Sequence, residues 1–420
     1  VTDNLPQLSQ LKVRASWGKT GNNTVPQFLY DPAYTAALND IHNTHQYYSF
    51  GTSGTILQGY RYSGLPNTGI KWEEVTQTDV GVELGLFNNS LLVTAEYYDK
   101  KTSDMLYDMN IPASAGASVG SYKANIGDIH NHGFDLAIQY RNSYRDFKYD
   151  VALTLSTNKN KVVKLNDEIN PIIERGGSEA ITGSIYRTEN GRPMGQIYGY
   201  VVEGIFQTQE EIDALNAASP TGLYQVSGTS PGDFKFKDLT KDGRITEEDR
   251  QYIGNPWPKL IYGLNLSLSW RGFDLVMGWI GQQGIDIYNV SKAVERNFYG
   301  DWNTTKKVFE AWTAERPTGN PRVVTGDPNN NFKTVSSYFV ENGSFLKLKN
   351  LHFGYNLPKP ILSKIGLTGL KIYINCNNIL TFTKFQGDPE IGGGYLERNC
   401  YSDTRWPASK SVVGGLALTF

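Results

Sequence analysis

The sequence has little cysteine and little methionine. Only 2 cysteines and 4 methionines occur in 420 residues, against 43 glycines, 26 tyrosines, 18 phenylalanines and 8 tryptophans. Cys376 and Cys400 have no set of histidines at zinc-ligand spacing, so they are either free thiols or, in an oxidising compartment, a disulfide. Because aromatic and turn-forming residues are so common, the composition favours strands over packed helices and predicts an all-β protein.

The sequence also lacks any block of like charges and any long apolar run. The 40 basic and 42 acidic residues leave a net charge of −2, which gives no electrostatic basis for nucleic-acid binding. No segment approaches the roughly 18 apolar residues of a membrane helix. A transmembrane β-barrel is still compatible with the mean hydropathy of −0.42, since its lumen and loops are polar. The start at Val1, without a leader, predicts a fragment or a processed chain.

Strict alternation of apolar and polar residues is the strongest pattern in the chain, and it places one set of side chains on each face of a strand. Along residues 260–270 the alternation lasts eleven residues, which suits the roughly 9–11 residues of a tilted membrane strand. The pattern predicts ten strands, at residues 11–17, 73–87, 90–101, 134–141, 147–156, 260–270, 273–281, 345–356, 369–380 and 411–420.

The connections between these strands alternate in length. Short turns lie at Asn88 and Asn89, at 141–146, and at Arg271 and Gly272, with a modest turn near Pro358. Outer-membrane barrels have short periplasmic turns and long extracellular loops, so the pattern predicts a barrel whose last strand runs inward. Ten strands would form only part of its wall. The long excursions, well above the median of about 4–6 residues, are 18–72, 102–130, 159–258, 282–344 and 381–410.

Two neighbouring segments, residues 344–358 and 369–383, resemble the closing hairpin of SusC/RagA transporters. Residues 71–74, 97–104 and 254–263 are also similar to that family. The resemblance implies that residues 1–420 form the C-terminal part of an antiparallel barrel of about 22 strands in the outer membrane of a Gram-negative bacterium. The plug and N-terminal domains of the family are not visible in this chain. Phe420 resembles the terminal aromatic residue that outer-membrane assembly machinery recognises.

The resemblance further implies TonB-dependent active import of an oligosaccharide or oligopeptide, and no enzymatic activity. In that family a SusD-like lipoprotein covers the extracellular mouth, TonB acts through the N-terminal part, and transporter–lipoprotein pairs form dimers. The barrel surface would contact outer-membrane lipid. A passive porin, or a secreted all-β carbohydrate-binding or hydrolytic domain, stays open as an alternative.

Residues 238–249 fit the twelve-residue calcium-loop template, which places oxygen ligands at positions 1, 3, 5, 7, 9 and 12 around a glycine at position 6. Thr240 and Asp249 depart from the usual residues, no entering helix precedes the loop, and a solvated acidic turn is the simpler alternative. A Ca²⁺ ion here would stabilise an extracellular loop and perform no chemistry. The predicted ligands are Asp238, Thr240, Asp242, Arg244 through its carbonyl, Thr246 and Asp249.

Candidate residues for substrate contact are few. Trp302, Trp312 and Trp406 lie in the long excursions and could stack on a sugar, although loop packing would also explain them. Glycosidase carboxylates face each other at about 5–10 Å, whereas the neighbouring carboxylates at 73–74, 210–211 and 247–248 are adjacent in sequence. The five histidines lack a third ligand at metal-binding spacing. We therefore predict no catalytic site.

Overall fold

A computed structural model describes residues 7–23, 25, 29–31, 33–36, 47–50, 55–58, 60–64, 66–110, 121–166, 170–175, 184–297, 303–362, 366–390 and 407–420. Strands dominate these residues. The helices are α1 (Gln209–Ala218), α2 (Val290–Glu295) and α3 (Lys359–Leu362), with 3₁₀ turns at Glu247–Asp249, Lys306–Glu310 and Ser337–Phe339. Across the described ranges, no helix is both long enough and apolar enough to cross a membrane.

The strands are β1 (Leu8–Asn22), β2 (Ala33–Ala36), β3 (Tyr47–Phe50), β4 (Thr55–Gln58), β5 (Tyr60–Gly64), β6 (Glu73–Leu86), β7 (Leu91–Asn110), β8 (Ser121–Tyr144), β9 (Phe147–Leu165), β10 (Ile172–Arg175), β11 (Ser184–Thr188), β12 (Gln196–Gly199), β13 (Val202–Ile205), β14 (Phe234–Phe236), β15 (Gln251–Gly254), β16 (Leu260–Trp270), β17 (Phe273–Gln283), β18 (Asp286–Tyr288), β19 (Val340–Asn342), β20 (Phe345–Asn356), β21 (Gly369–Thr383) and β22 (Ser411–Thr419). Ten of them form one antiparallel sheet, which we call the wall. Its order is β1-β6-β7-β8-β9-β16-β17-β20-β21-β22, so each strand pairs with the next wall strand along the chain.

The ten predicted strands are confirmed as the ten strands of the wall. Four of them are much longer than predicted, because β1 spans Leu8–Asn22, β7 continues to Asn110, β8 begins at Ser121 and β9 continues to Leu165. The first residues of the predicted excursion 159–258 are therefore part of β9. Polar residues such as those at 157–161 interrupt the alternation in the extensions of β7, β8 and β9. The backbone ladder maintains the pairing there together with side-chain hydrogen bonds, such as that from Asn160 to Asn131 at 2.8 Å, and a buried apolar cluster that includes Met105, Ile129 and Val162.

The two faces of the wall differ in chemistry. The register places Ala95, Leu136, Leu155 and Tyr262 side by side on one face, which we call the apolar face. Large apolar side chains stay exposed there, including Val13 at 72%. The opposite face, which we call the polar face, carries charged residues of neighbouring strands, among them Glu83, Glu96 and Asp135.

The two ends of the wall carry different kinds of connection, short turns at one end and long excursions at the other, as predicted. At one end, the turn end, tight turns use residues with positive φ, such as Asn88 at 57° and Arg271 at 48°. Gly272 at 89° completes the last of these turns, in the left-handed region that glycine enters without steric cost. All long connections leave from the other end, the loop end, as predicted for an outer-membrane barrel.

Two long connections at the loop end fold together into one unit. We call it the loop body: residues 170–175, 184–259, 284–297 and 303–344. Its four-stranded sheet has the order β10-β11-β12-β15, and Thr208 caps α1 by accepting a hydrogen bond from the Glu211 backbone N–H at 3.4 Å. Residues of both connections form its core: Ile185, Tyr186, Ile197, Tyr288, Val290, Ala293, Phe332, Val335 and Phe339.

Candidate functional site

The predicted calcium loop begins one residue after β14, so a strand and no entering helix precedes it, as predicted. Asp238, at position 1, accepts hydrogen bonds from the backbone N–H groups of Lys241 at 2.6 Å and Gly243 at 2.8 Å. Gly243 has φ +79°, a conformation that few other residues adopt. The glycine therefore allows the sharp turn that the template assigns to position 6.

Asp249, at position 12, closes the other end of the loop and is fully buried. Its Oδ1 accepts hydrogen bonds from the backbone of Leu239 at 2.9 Å and from both backbone and hydroxyl of Thr240. Its Oδ2 accepts from the backbone of Thr246 at 2.7 Å and lies 3.3 Å from the Thr246 hydroxyl. Burial raises the pKa of Asp249, but these hydrogen bonds favour the charged form and hold its pKa below the usual value.

The structure brings some of the predicted metal ligands together and not others. Thr240 Oγ1 lies 3.2 Å from Asp238 Oδ1 and 3.0 Å from Asp249 Oδ1. The Asp242 carboxylate instead accepts a hydrogen bond from the Arg244 side chain at 2.9 Å. Within the described ranges, no three His, Cys, Asp or Glu side chains form a cluster that could hold a metal. The loop is thus closed by its own hydrogen bonds, with four of the six predicted ligands adjacent: Asp238, Thr240, Thr246 and Asp249.

Of the three candidate tryptophans, only Trp312 lies within the described residues; Trp302 and Trp406 lie outside them. Trp312 is half-buried and donates a hydrogen bond from Nε1 to Gln207 Oε1 at 3.0 Å. Its ring packs so closely on Gly232 that a Cβ there would clash with it. Trp312 therefore packs two segments of the loop body together, as the alternative explanation predicted.

Cys376 is buried on β21, whereas Cys400 lies outside the described residues. The question of a disulfide between them stays untested.

A cavity of about 460 Å³ opens on the polar face, where β7, β8, β9, β16 and β17 lie side by side. Glu96 and Asp135 line it together with small residues of the neighbouring strands. Arg14 pairs with Glu96 at 2.6 Å and with Glu83 at 2.9 Å. The Asp135 Oδ1 is buried without a hydrogen-bond partner in the structure. An unpaired buried carboxylate oxygen is unfavourable unless another group reaches it, so this cavity is a candidate contact surface.

A second group of charges lies nearer the turn end of the polar face. Asp274 accepts from Lys371 at 3.0 Å and lies 2.8 Å from His352 Nε2, while His352 Nδ1 lies 2.5 Å from Asn375 Oδ1. These groups form ion pairs and hydrogen bonds with one another across β17, β20 and β21. They stabilise the strand register rather than offering a free site.

A buried polar network joins the two connections that form the loop body. Asp233, fully buried, pairs with Arg322 at 2.7 and 2.9 Å and accepts a hydrogen bond from Asn331 at 2.8 Å. Asn331 also contacts Asp327, whose pKa is raised mainly by burial. These residues are too far apart in sequence to form a local pattern, so the sequence did not reveal them.

The family model described as "TonB dependent receptor-like, beta-barrel" matches residues 1–379. The chain belongs to this family. Its members are outer-membrane proteins of Gram-negative bacteria, and they are transporters rather than enzymes. The apolar face of this receptor barrel is therefore the lipid-facing one, the polar face lines the lumen, the turn end is periplasmic and the loop end is extracellular.

Individual relatives agree with this assignment. The chain is 32% identical to TonB-dependent receptor P3 of Formosa agariphila, over 90% of the chain and 36% of the relative. It is 25% identical to TonB-dependent receptor SusC of Bacteroides thetaiotaomicron, over 98% of the chain and 38% of the relative. The chain thus spans less than half the length of these relatives. The receptor is identified as SusC/RagA-like, as the closing-hairpin motif predicted.

A solved structure described as "Structure of the RagAB peptide transporter" has the same fold. The TM-score is 0.75 at 23% sequence identity, over 99% of this chain and 41% of that one. The wall and loop body therefore correspond to part of a larger barrel, and the sheet described here is open rather than closed.

Sequence reasoning missed the lumenal charges, although a pattern could have revealed them. Three successive strands, β1, β6 and β7, carry charged residues whose side chains lie on the polar face. These residues are Lys12, Arg14, Glu83 and Glu96. The alternation within each strand shows which residues are on the polar face, but the pairing between strands is also needed to show that these charges lie on one surface.

Proposed function

We propose that this chain forms part of the wall and the extracellular loops of a TonB-dependent importer that takes up a nutrient across the outer membrane. The observation that carries this proposal is the loop body, a compact unit with its own apolar core at the extracellular end of a lumen lined with charged and polar groups. Ordered loops above a lumen offer a rigid surface on which a substrate can be captured before it enters.

The proposal includes a partner. A SusD-like surface lipoprotein would sit on the loop end and close the extracellular mouth, and two transporter–lipoprotein pairs would form a dimer. Support comes from the similarity to receptors whose names include SusC and to a transporter described as RagAB. TonB would act through a part of the protein that precedes the wall.

For the substrate class we propose an oligosaccharide or an oligopeptide. The peptide alternative rests on the fold shared with a structure described as a peptide transporter. The saccharide alternative rests on the remaining tryptophans of the long excursions, Trp302 and Trp406, because Trp312 packs within the loop body. The two alternatives predict different ligands on the same surface.

Uptake measurements test the proposal. Cells that carry this protein would be given fluorescently labelled oligosaccharides and oligopeptides, with and without a protonophore and with and without TonB. We expect uptake of one substrate class that stops when TonB or the proton gradient is removed. Uptake that persists without either would show a passive pore instead. Purification in detergent should recover the lipoprotein with the wild-type protein.

We also propose that residues 238–249 bind Ca²⁺ as a structural ion, on the basis of the template spacing and of the adjacent Asp238, Thr240 and Asp249 oxygens. Asp242 would have to turn from Arg244 toward the ion. Calcium titration of EDTA-treated protein should raise Tm, and Asp242→Asn should reduce that increase. Asp213→Asn on α1 is the matched control. An unchanged Tm on adding Ca²⁺ would show that hydrogen bonds alone close the loop.

A further inference from the structure

A crevice of about 700 Å³ opens in the wall at the first residues of β16, where β9 continues beyond its pairing with β16 and stays paired only with β8. β9 pairs with β16 only as far as Ser156, opposite Ile261. Beyond that point the edge of β9 meets the loop body, to which Val162 is joined by backbone hydrogen bonds with Gly191 and Arg192 at 2.8 Å. The loop-body residues that complete the crevice are Gly191, Pro193, Asn255, Trp257, Pro258 and Lys259. The crevice is thus a gap between a membrane strand and an extracellular unit, and it is separate from the lumenal cavity.

The crevice lies on the lipid-facing side of the wall. Along β9, Lys159 and Lys161 lie an even number of positions from Leu155, and along β8 His132 lies two positions from Phe134. Their side chains therefore extend from the face that carries the apolar belt. A nutrient in the lumen would meet the opposite face of these strands.

Along the membrane normal, the crevice lies at the level of the outer membrane surface. Phe134 and Tyr97, which are 45% and 48% exposed, border the crevice and form part of the outer aromatic girdle. Eleven residues of β8, from Phe134 to Tyr144, separate them from the turn end. At about 3.3 Å per residue and a tilt of about 40°, this span is close to the belt of about 25 Å that barrels present to lipid. The crevice therefore lies at the level of the outer-leaflet headgroups.

The crevice carries unpaired positive charge. Lys159, Lys161 and Lys259 line it, its lining includes no carboxylate, and none of the three ammonium groups forms an ion pair within the described residues. Asp99, opposite His132 in the β7–β8 register, lies 2.7 Å from His130 and is thereby partnered. His132 Nδ1 is buried and has no hydrogen-bond partner among the residues that the structure describes. These groups are suited to an anion with several acceptor oxygens.

We propose that this crevice binds a phosphate-bearing lipid of the outer leaflet. The phosphate accepts hydrogen bonds from Lys159, Lys161 and Lys259, and the acyl chains lie along the apolar belt below Phe134. Charge complementarity selects the headgroup, and the adjoining apolar face selects a lipid over a soluble anion. Such a lipid would connect the loop body to the wall from outside the barrel.

The test measures lipid binding to the protein purified from outer membranes in non-ionic detergent. Diphosphorylated lipid A is the probe, and native mass spectrometry follows the bound fraction. We expect one lipid per crevice, with affinity at least tenfold lower in the Lys159→Gln/Lys161→Gln variant, because two charge-assisted hydrogen bonds are lost. The Lys159→Arg/Lys161→Arg variant should keep the wild-type affinity.

The matched control is Lys148→Gln/Lys237→Gln, which removes the same charge away from the crevice and should bind like the wild type. Heat-modifiable mobility in gels verifies that every variant is folded. Wild-type affinity in the Lys159→Gln/Lys161→Gln variant would overturn the proposal. Equal affinity for a neutral diacylglycerol, which lacks the phosphate, would also overturn it, and equal affinity for inorganic phosphate would show a site for a soluble anion instead.

Discussion

In the wall, Val13 exposes 72% of its surface and Leu416 exposes 66%, whereas in the loop body Tyr186, Tyr288 and Phe339 expose 1% or less. Both regions are rich in large apolar side chains. The loop body buries them against each other in water, as a soluble domain does, while the wall presents them to lipid. The same residue types therefore stabilise the two regions through different surroundings, and substitutions should separate them.

The largest expected effect is on the core of the loop body. Phe339→Ala removes a ring that packs edge-on against Tyr338 at 5.1 Å between centroids. Because the ring is fully buried, we expect a loss of about 3–5 kcal/mol in the stability of the loop body. Hydrogen exchange of loop-body amides in detergent measures this loss.

Phe353→Ala is the wall control for that experiment, since Phe353 is 44% exposed on the lipid-facing side. It should leave hydrogen exchange in the loop body near the wild-type level. Equal acceleration in both variants would show that the two regions unfold as one unit.

The second effect is the difference in stability cost between a lysine placed on the lipid-facing side and one placed on the lumenal side of β9. Leu153 lies on the lipid-facing side between Ile138 and Leu264, so Leu153→Lys should destabilise the barrel by about 2–4 kcal/mol. Thr154→Lys places the same charge on the lumenal face and should cost much less. The folded fraction after heating, read from gel mobility, compares them. A greater loss from Thr154→Lys would reverse the assignment of the faces.

The third effect is a pH dependence of the loop at 238–249. The pKa of Asp249 is lower in the folded state than in the unfolded chain, so its contribution is present above about pH 3.9 and is lost as pH falls through the folded-state pKa. Charge-assisted hydrogen bonds of this kind contribute on the order of 1–3 kcal/mol. Proteolysis of this loop should increase on acidification in the wild type. Asp249→Asn should be cleaved faster at neutral pH and should not show that acid dependence.

The smallest effect concerns the lumenal charges. The Arg14 side chain is 40% exposed, so its ion pairs with Glu83 and Glu96 are screened by solvent. We expect Arg14→Gln to change the unfolding free energy by less than about 1 kcal/mol. Thermal unfolding in detergent gives the value. A loss comparable to that of Phe339→Ala would mean that the lumen is dry and behaves like the core of the loop body.

The wall was predictable because its pattern is local. Alternation along residues 260–270, for example, places Leu264 and Leu266 toward lipid without any knowledge of the partner strand. Strands could not be predicted where the alternation of apolar and polar residues is interrupted. Residues 157–161 of β9 are polar on both faces, which interrupts the alternation, and only the pairing with β8 shows that the strand continues through Val162 to Leu165.

The candidate sites were predictable to a smaller extent. Template spacing located the loop at 238–249, and the structure places Thr240 between Asp238 and Asp249. The same spacing did not show that Asp242 turns toward Arg244. Trp312 was visible as an aromatic residue in a long excursion, but its contact with Gly232 depends on the packing of a distant segment.

The sequence by itself determined the strand count, the lipid-facing parity and the difference between short turns and long excursions, since each follows from residues within a few positions of one another. Tertiary structure alone decided which distant residues meet. Asp233 and Arg322 are 89 positions apart, and Lys159 on β9 meets Lys259 at the far end of the connection that follows that strand. Long-range contacts of this kind depend on how the connections fold over the wall. The backbone register of neighbouring strands then sets which side chains share a surface.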